Sequence, residues 1–313
     1  MLSFVIITEE YAVRMISMKK RNMLQKKRVV SFLAFVLPAF ILICITSLIP
    51  FLMNIYYSLT SWNGIDPEKN FVGLRNFVTL FQEKDFWTGP VVFTFKYAIC
   101  YVILANIIAL GMALLLVIKF KLANLLRAMF YIPNIISLVM VGYVWKFIFG
   151  MGFQDLYEKT GWEIFQLSWL GDSKLVFWSL LFVSLWQVVG FYCVIYIAGL
   201  QGVPDDVIEA ATIDGAGRIS KFFRITLPLI VPSITVCLFT SLLNALKVFD
   251  LPFVLTSGGP GGATTSISMD IYNEAFFNNL YGYGTAKSLV FFVIIVVITM
   301  FQLKMTKSRE VEV

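Results

Sequence analysis

Six separate apolar runs, near residues 30–57, 92–118, 128–149, 175–199, 229–250 and 286–303, take up nearly half of the 313-residue chain. A helix needs roughly 20 apolar residues to cross a hydrocarbon layer of about 30 Å, and each run is close to that length. Only 14% of residues are charged, and the mean hydropathy is +0.82. Soluble domains carry about 25% charged residues, so lipid must solvate much of this surface. The expected fold is all-α and polytopic, with about six transmembrane helices.

The first run follows a basic cluster from Lys19 to Arg28. Its apolar part is too long for a signal peptide and no small-residue cleavage site follows, so it reads as a retained anchor. Met18, directly before that cluster, and Met23, within it, are alternative candidate starts. Loop charge then sets orientation. Sixteen Lys/Arg fall on the side of the termini, among them Arg14, Lys19 to Arg28, Lys121, Arg127, Arg218, Lys221, Arg224 and Lys304. The opposite loops, although longer, hold six: Lys69, Arg75, Lys84, Lys159, Lys174 and Lys287. Lys/Arg excess marks the cytoplasm, so both termini are expected inside. The net charge of +6 is therefore a topology signal, and nucleic acid is not expected as a partner.

Several chemistries drop out. Histidine is absent, which removes imidazole acid–base catalysis and His-based zinc sites. Cys44, Cys100, Cys193 and Cys237 all sit in apolar runs without a CxxC neighbour, where thiols pack as small hydrophobes. No metal or cofactor is expected. No GxxxxGK[ST] loop exists to cradle ATP phosphates. Within the second run, Ala105, Ala109 and Ala113 repeat every four residues, a spacing that lets helices approach closely in lipid. Pro38, Pro50 and Pro133 are expected to interrupt their helices.

The loop between the fourth and fifth runs predicts two short helices with a sharp corner. Pro204 suits a first helical turn, and Asp205 and Asp206 complement its positive end. Glu209, Ala210 and Ala211 propagate it, and Gly215 and Gly217 permit the angles that end it. Ile219, Phe222, Phe223 and Ile225 then form an apolar set, with Arg218, Lys221 and Arg224 between them and Pro228 and Pro232 closing the segment. Such an elbow fits either a groove on another protein or the headgroup layer of the membrane.

The run Glu209-Ala210-Ala211, Asp214-Gly215-Ala216, then Ile225, Leu227-Pro228 and Pro232, resembles the EAA loop of permease subunits in binding-protein-dependent ABC importers. The stretch Phe249-Asp250, Leu255 to Thr264 and Gly282 to Ala286 is similar to the sugar-permease branch, the relatives of the maltose and glycerol-3-phosphate permeases. The resemblance covers roughly residues 30–305. It implies a type I ABC importer permease fold in a bacterial plasma (inner) membrane. It also implies that Glu209, Ala210, Ala211, Asp214, Gly215 and Ala216 couple to an ATPase, so the chain is a transport subunit and not an enzyme. The implied partners are two ATP-binding cassette subunits, a second homologous permease, an extracytoplasmic solute-binding protein and a sugar-like solute.

Polar residues inside spans are costly and mark pathways. Ser184 and Gln187 in the fourth run, and Ser241, Asn244 and Lys247 in the fifth, are candidates for the substrate pathway. Trp186, Phe191 and Phe249 offer aromatic faces for sugar rings. The competing reading is interhelical hydrogen bonding, with Lys247, Lys96 and Lys146 snorkelling to an interface. A secondary transporter would call for buried carboxylates and a membrane enzyme for a clustered acid–base set; neither is evident in the sequence. The expected segments are a basic cytoplasmic stretch 1–28, a first transmembrane helix 29–58 and an extracytoplasmic loop 59–91. A five-helix transporter core 92–303 follows, including the coupling loop 200–228, and then a cytoplasmic tail 304–313.

Overall fold

A computed structural model describes residues 32–118 and 120–308. The basic cluster from Arg14 to Arg28, both candidate internal starts and Lys119 lie outside the described residues, as do residues 309–313. The chain forms two compact units, residues 1–56 and 57–313.

Helix α1, Phe32–Ser58, is apolar and exposed along most of its length, with Ser58 at its end buried. Neither Pro38 nor Pro50 interrupts it, contrary to expectation. A π-helical turn at Cys44–Leu48 lies just before Pro50, and this wider turn accommodates a residue that has no N–H to donate. After α1 the segment assigned as a loop holds a helix that the sequence reading did not foresee, α2, Arg75–Gln82. The second span, α3, is Lys84–Leu116 and begins eight residues before the expected 92, with Pro90 taken up by a π turn at Trp87–Val91.

Among the described residues, two helix pairs are sharply bent. Helices α4, Ala123–Ile135, and α5, Leu138–Thr160, meet at 96°. Pro133 is inside α4, and the chain turns at Ile136 and Ser137, two extended residues, rather than at the proline as expected. Helix α6, Leu175–Gln201, is continuous. The elbow follows as α7, Asp205–Ile213, and α8, Arg218–Leu229, with α8 meeting α9, Val231–Leu246, at 69°. A short α10, Ile267–Tyr272, continues as a π turn through Phe277, and α11, Tyr281–Lys307, ends the described fold. Among the described residues, four helices are long and apolar enough to span, and up to six spans result if each bent pair counts as one.

The second unit is organised around α3, α6 and α9. On α3 the residues Tyr97, Tyr101, Ala105, Ala109 and Ala113 are buried, while Ile99, Ile103 and Ile107 are exposed on the other side. Both rows have the four-residue spacing of one helical face, so a helix apolar all round still sorts small and hydroxylated residues inward and branched ones outward. Helices α4 and α6 pack closely at Gly190, where a Cβ would lie 1.9 Å from the Phe130 carbonyl oxygen.

Lys287 was counted above as a cation of an outer loop. It lies in the second turn of α11 with a side chain that is 0% exposed. Its Nζ sits 2.8 Å from Asp270 on α10, 3.0 Å from Glu83 at the end of α2 and 3.2 Å from Glu274 beyond α10. The Tyr283 hydroxyl also donates to Glu83. Burial pushes the Asp270 carboxyl upward, against the pull of Lys287 in the other direction. One lysine therefore ties three segments at the end of the unit opposite the elbow.

Candidate functional site

A cavity of about 290 Å³ opens where the broken third span meets α3, α6 and the end of α9. Backbone that leaves helical hydrogen bonding at membrane depth is stable only inside protein or beside water, and the α4–α5 break, flanked by Asn134 and Leu138, borders this cavity. Tyr97 and Tyr101 come from α3, and Ser184 and Gln187 from α6. Asn244 and Lys247 stand at the end of α9, with Phe249 and Asp250 just beyond.

Hydrogen bonds fix these walls. The Tyr97 hydroxyl donates to Ser184 Oγ at 2.7 Å, and the Ser184 hydroxyl donates to the Leu180 carbonyl at 2.8 Å. Asn244 Nδ2 donates to the Tyr192 hydroxyl at 3.4 Å. Behind the cavity the Tyr196 hydroxyl donates to Asn106 Oδ1 at 2.6 Å, and Asn106 Nδ2 donates to Ser241 Oγ at 3.0 Å. Tyr97 and Tyr101 stack at 5.6 Å between ring centres. Lys247 and Asp250 give the lining one positive and one negative group, so amides, hydroxyls and aromatic rings dominate its chemistry.

Four of the five pathway candidates, Ser184, Gln187, Asn244 and Lys247, come together at this cavity, while Ser241 is fully buried against Asn106. Among the three aromatic residues singled out, Phe249 lines it; Trp186 packs edge-on against Trp145, and Phe191 against Tyr192. Sequence reasoning missed Tyr97, Tyr101 and Asn134. The tyrosines are spaced i, i+4 in an apolar run, a signal available in the sequence; Asn134 had none, because its placement depends on the break.

The elbow is the second candidate site. Helix α7 ends in a Schellman arrangement: the Ala216 N–H donates to the Ala211 carbonyl at 2.9 Å, and the Gly215 N–H to the Thr212 carbonyl at 3.1 Å. Gly215 has φ +77°, the left-handed conformation this cap requires, whereas Gly217 is extended at φ −68° and makes no such demand. Ala211 is consequently buried inside the elbow, while Glu209, Ala210, Asp214 and Gly215 are exposed and Ala216 is half-buried. Lys221 Nζ donates to Thr212 Oγ1 at 3.0 Å and holds α8 against α7. Ile213 is 86% exposed and Ile219 76%. Two uncovered isoleucines flanking one corner form an apolar contact surface.

Residues 105–308 match the family described as "Binding-protein-dependent transport system inner membrane component". A probable starch degradation products transport system permease protein (AmyD) of Thermoanaerobacterium thermosulfurigenes is 40% identical over 280 residues, covering 89% of this chain and 94% of the relative. The trehalose/maltose transport system permease protein MalF of Thermococcus litoralis is 34% identical, covering 88% and 92%. The multiple sugar-binding transport system permease protein MsmF of Streptococcus mutans is 32% identical, covering 84% and 90%. In fold, the chain superposes on a bacterial ABC transporter involved in the import of the acidic polysaccharide alginate with a TM-score of 0.77, at 24% identity over 90% of this chain and 96% of the other.

Proposed function

Because the chain belongs to the family of binding-protein-dependent transport system inner membrane components, we propose that it forms half of the pathway for a neutral oligosaccharide and that its elbow docks on a separate ATPase. The cavity lining carries the substrate reading. Amides, hydroxyls and stacked tyrosines with no net charge suit a hydroxyl-rich uncharged solute, whereas a polyuronate calls for excess cations. The names of the relatives support the same class, with starch degradation products, trehalose and maltose as their solutes.

The chain is a multi-pass membrane transport subunit. ATP hydrolysis falls to two ATP-binding cassette subunits that receive Ile213 and Ile219, with Glu209, Ala210, Asp214 and Gly215 at the contact. Ala211 and Ala216 set the corner's shape. A second permease chain completes the cavity, and an extracytoplasmic binding protein delivers solute. Both termini and the elbow face the cytoplasm in this reading, which the Lys/Arg distribution supports.

The test is uptake of radiolabelled maltotriose into liposomes holding the assembled complex. Uptake that needs ATP and is competed by neutral gluco-oligosaccharides supports the proposal. Uptake independent of ATP overturns the docking, and competition by uronate oligomers alone overturns the substrate class.

A further inference from the structure

Helix α2 has no task in the transport scheme, yet its residues, with one neighbour at each end, sort into three faces, the half-buried Phe77 lying between the first two. At about 100° per residue, Asn76, Leu80 and Glu83 share one arc. All three are held by protein. Leu80 is 0% exposed, Asn76 Nδ2 donates to the carbonyls of Ser58 at 2.8 Å and Thr60 at 2.9 Å, and Glu83 meets Lys287. A second arc carries Phe81, Leu74 and Val78, which are 64%, 67% and 53% exposed. Arg75, Thr79 and Gln82 lie on the third, polar and exposed.

A helix docked on a protein in water has two faces, one covered and one polar. Three large apolar side chains together on one uncovered flank, beside a polar flank, is the pattern of a helix seated between two solvents. Its depth agrees. Phe81 stands three residues before Lys84, where the span α3 begins, and Asn76 grips the end of α1 at Ser58. Along α11, about 30 Å of hydrocarbon corresponds to about 20 residues, which counts back from Leu303 to Gly284, the level of Tyr283 and Lys287 that hold Glu83. Interfacial aromatic residues mark the same level. Trp62 packs on Tyr57 and Tyr281, Lys69 Nζ lies 4.6 Å from the Trp62 ring, and Phe81 stacks on Trp87.

We propose that α2 is an in-plane membrane anchor on the bilayer face opposite the elbow. Leu74, Val78 and Phe81 enter the border of the acyl chains, Arg75 reaches the headgroup phosphates, and the Glu83–Lys287 contact ties the anchor to α11. The lipid surface sets the level from which the last span is held.

Spin labels test this in the assembled complex in liposomes, on a background with the four native cysteines replaced. Single cysteines are placed at Leu74, Val78 and Phe81, and separately at Arg75, Thr79 and Gln82; all six side chains are exposed, and the label at Phe81 gives up its ring contact with Trp87. Labels on the first three are expected to collide more with molecular oxygen, which concentrates in lipid, than with a water-soluble nickel chelate, and the second three the reverse. Labels at 74, 78 and 81 that meet the nickel chelate as freely as the other three overturn the proposal in favour of a water-exposed surface. Labels there shielded from both reagents overturn it in favour of a protein partner.

Discussion

Replacing Lys287 by methionine removes the one cation from a cluster of three carboxylates and leaves side-chain length almost unchanged. Asp270, Glu83 and Glu274 are only 19%, 28% and 14% exposed, so water cannot take over the role of the lysine. Removing one partner of a buried ion pair costs about 3–5 kcal/mol, mostly as the uncompensated charge left behind. At about 2–4 °C per kcal/mol for a chain of this size, the apparent melting temperature should fall by about 10 °C. The seven tryptophans report unfolding by intrinsic fluorescence. Acidity supplies a second reading. The Asp270 carboxyl is already raised by burial, and losing Lys287 raises it further, so folding favours its protonated form. A group whose pKa is higher folded than unfolded contributes stability at low pH and loses it as pH rises through the folded value. The deficit of the variant should therefore be full near neutrality and shrink on acidification. Adding Glu83→Gln, Asp270→Asn and Glu274→Gln should recover at least half of the loss. A single variant that melts with wild type, or a quadruple variant no better than the single, would refute the assignment of the cluster as a charge-balanced tie.

Four further outcomes follow from the geometry. Gly190→Ala places a methyl 1.9 Å from the Phe130 carbonyl oxygen and should cost about 1–3 kcal/mol, read as a lower melting temperature. Gly215→Asn should keep the elbow working and Gly215→Val should reduce coupled uptake, because φ +77° suits asparagine and penalises a β-branched residue by about 1–2 kcal/mol. Gln187→Ala and Asn244→Ala should each raise KM for oligosaccharide by up to about tenfold with little change in folding, one hydrogen bond being worth about 1 kcal/mol. Asp172 Oδ1 accepts the N–H groups of Leu175 and Lys174 at 2.9 and 2.8 Å, which lowers its carboxyl below the ordinary 3.8. A depressed carboxylate contributes stability above its unfolded pKa and loses it as pH falls through the folded value, so Asp172→Ala should destabilise at neutral pH and converge with wild type in strong acid.

Much of this was legible in the sequence because lipid imposes simple rules. Run length located the spans, and the alanine row on α3 identified its buried face. The elbow was readable down to its corner, since a left-handed cap after an alanine-rich helix has few solutions and Gly215 supplies one. What escaped depends on contacts distant in sequence. Lys287 looked like a loop cation because its three acids lie 13, 17 and 204 residues away. The break after Ile135 was masked by Pro133, the more conspicuous residue. Tyr97 and Tyr101 are inconspicuous within the apolar run 92–118, although a tyrosine in a span needs a partner for its hydroxyl. Helix α2 was hidden by length, being too short to register as a span and too apolar on one flank for an ordinary loop.

The proposed coupling depends on the corner at Ile213 gripping a motor subunit. Affinity capture of the tagged permease from detergent-solubilised membranes, with the ATP-binding subunit quantified in wild type and Ile213→Asp, measures that grip directly. Covering one isoleucine is worth about 1.5–3 kcal/mol, so the variant should retain roughly a tenth of the ATPase or less while melting with wild type. Equal capture by both proteins would contradict the account.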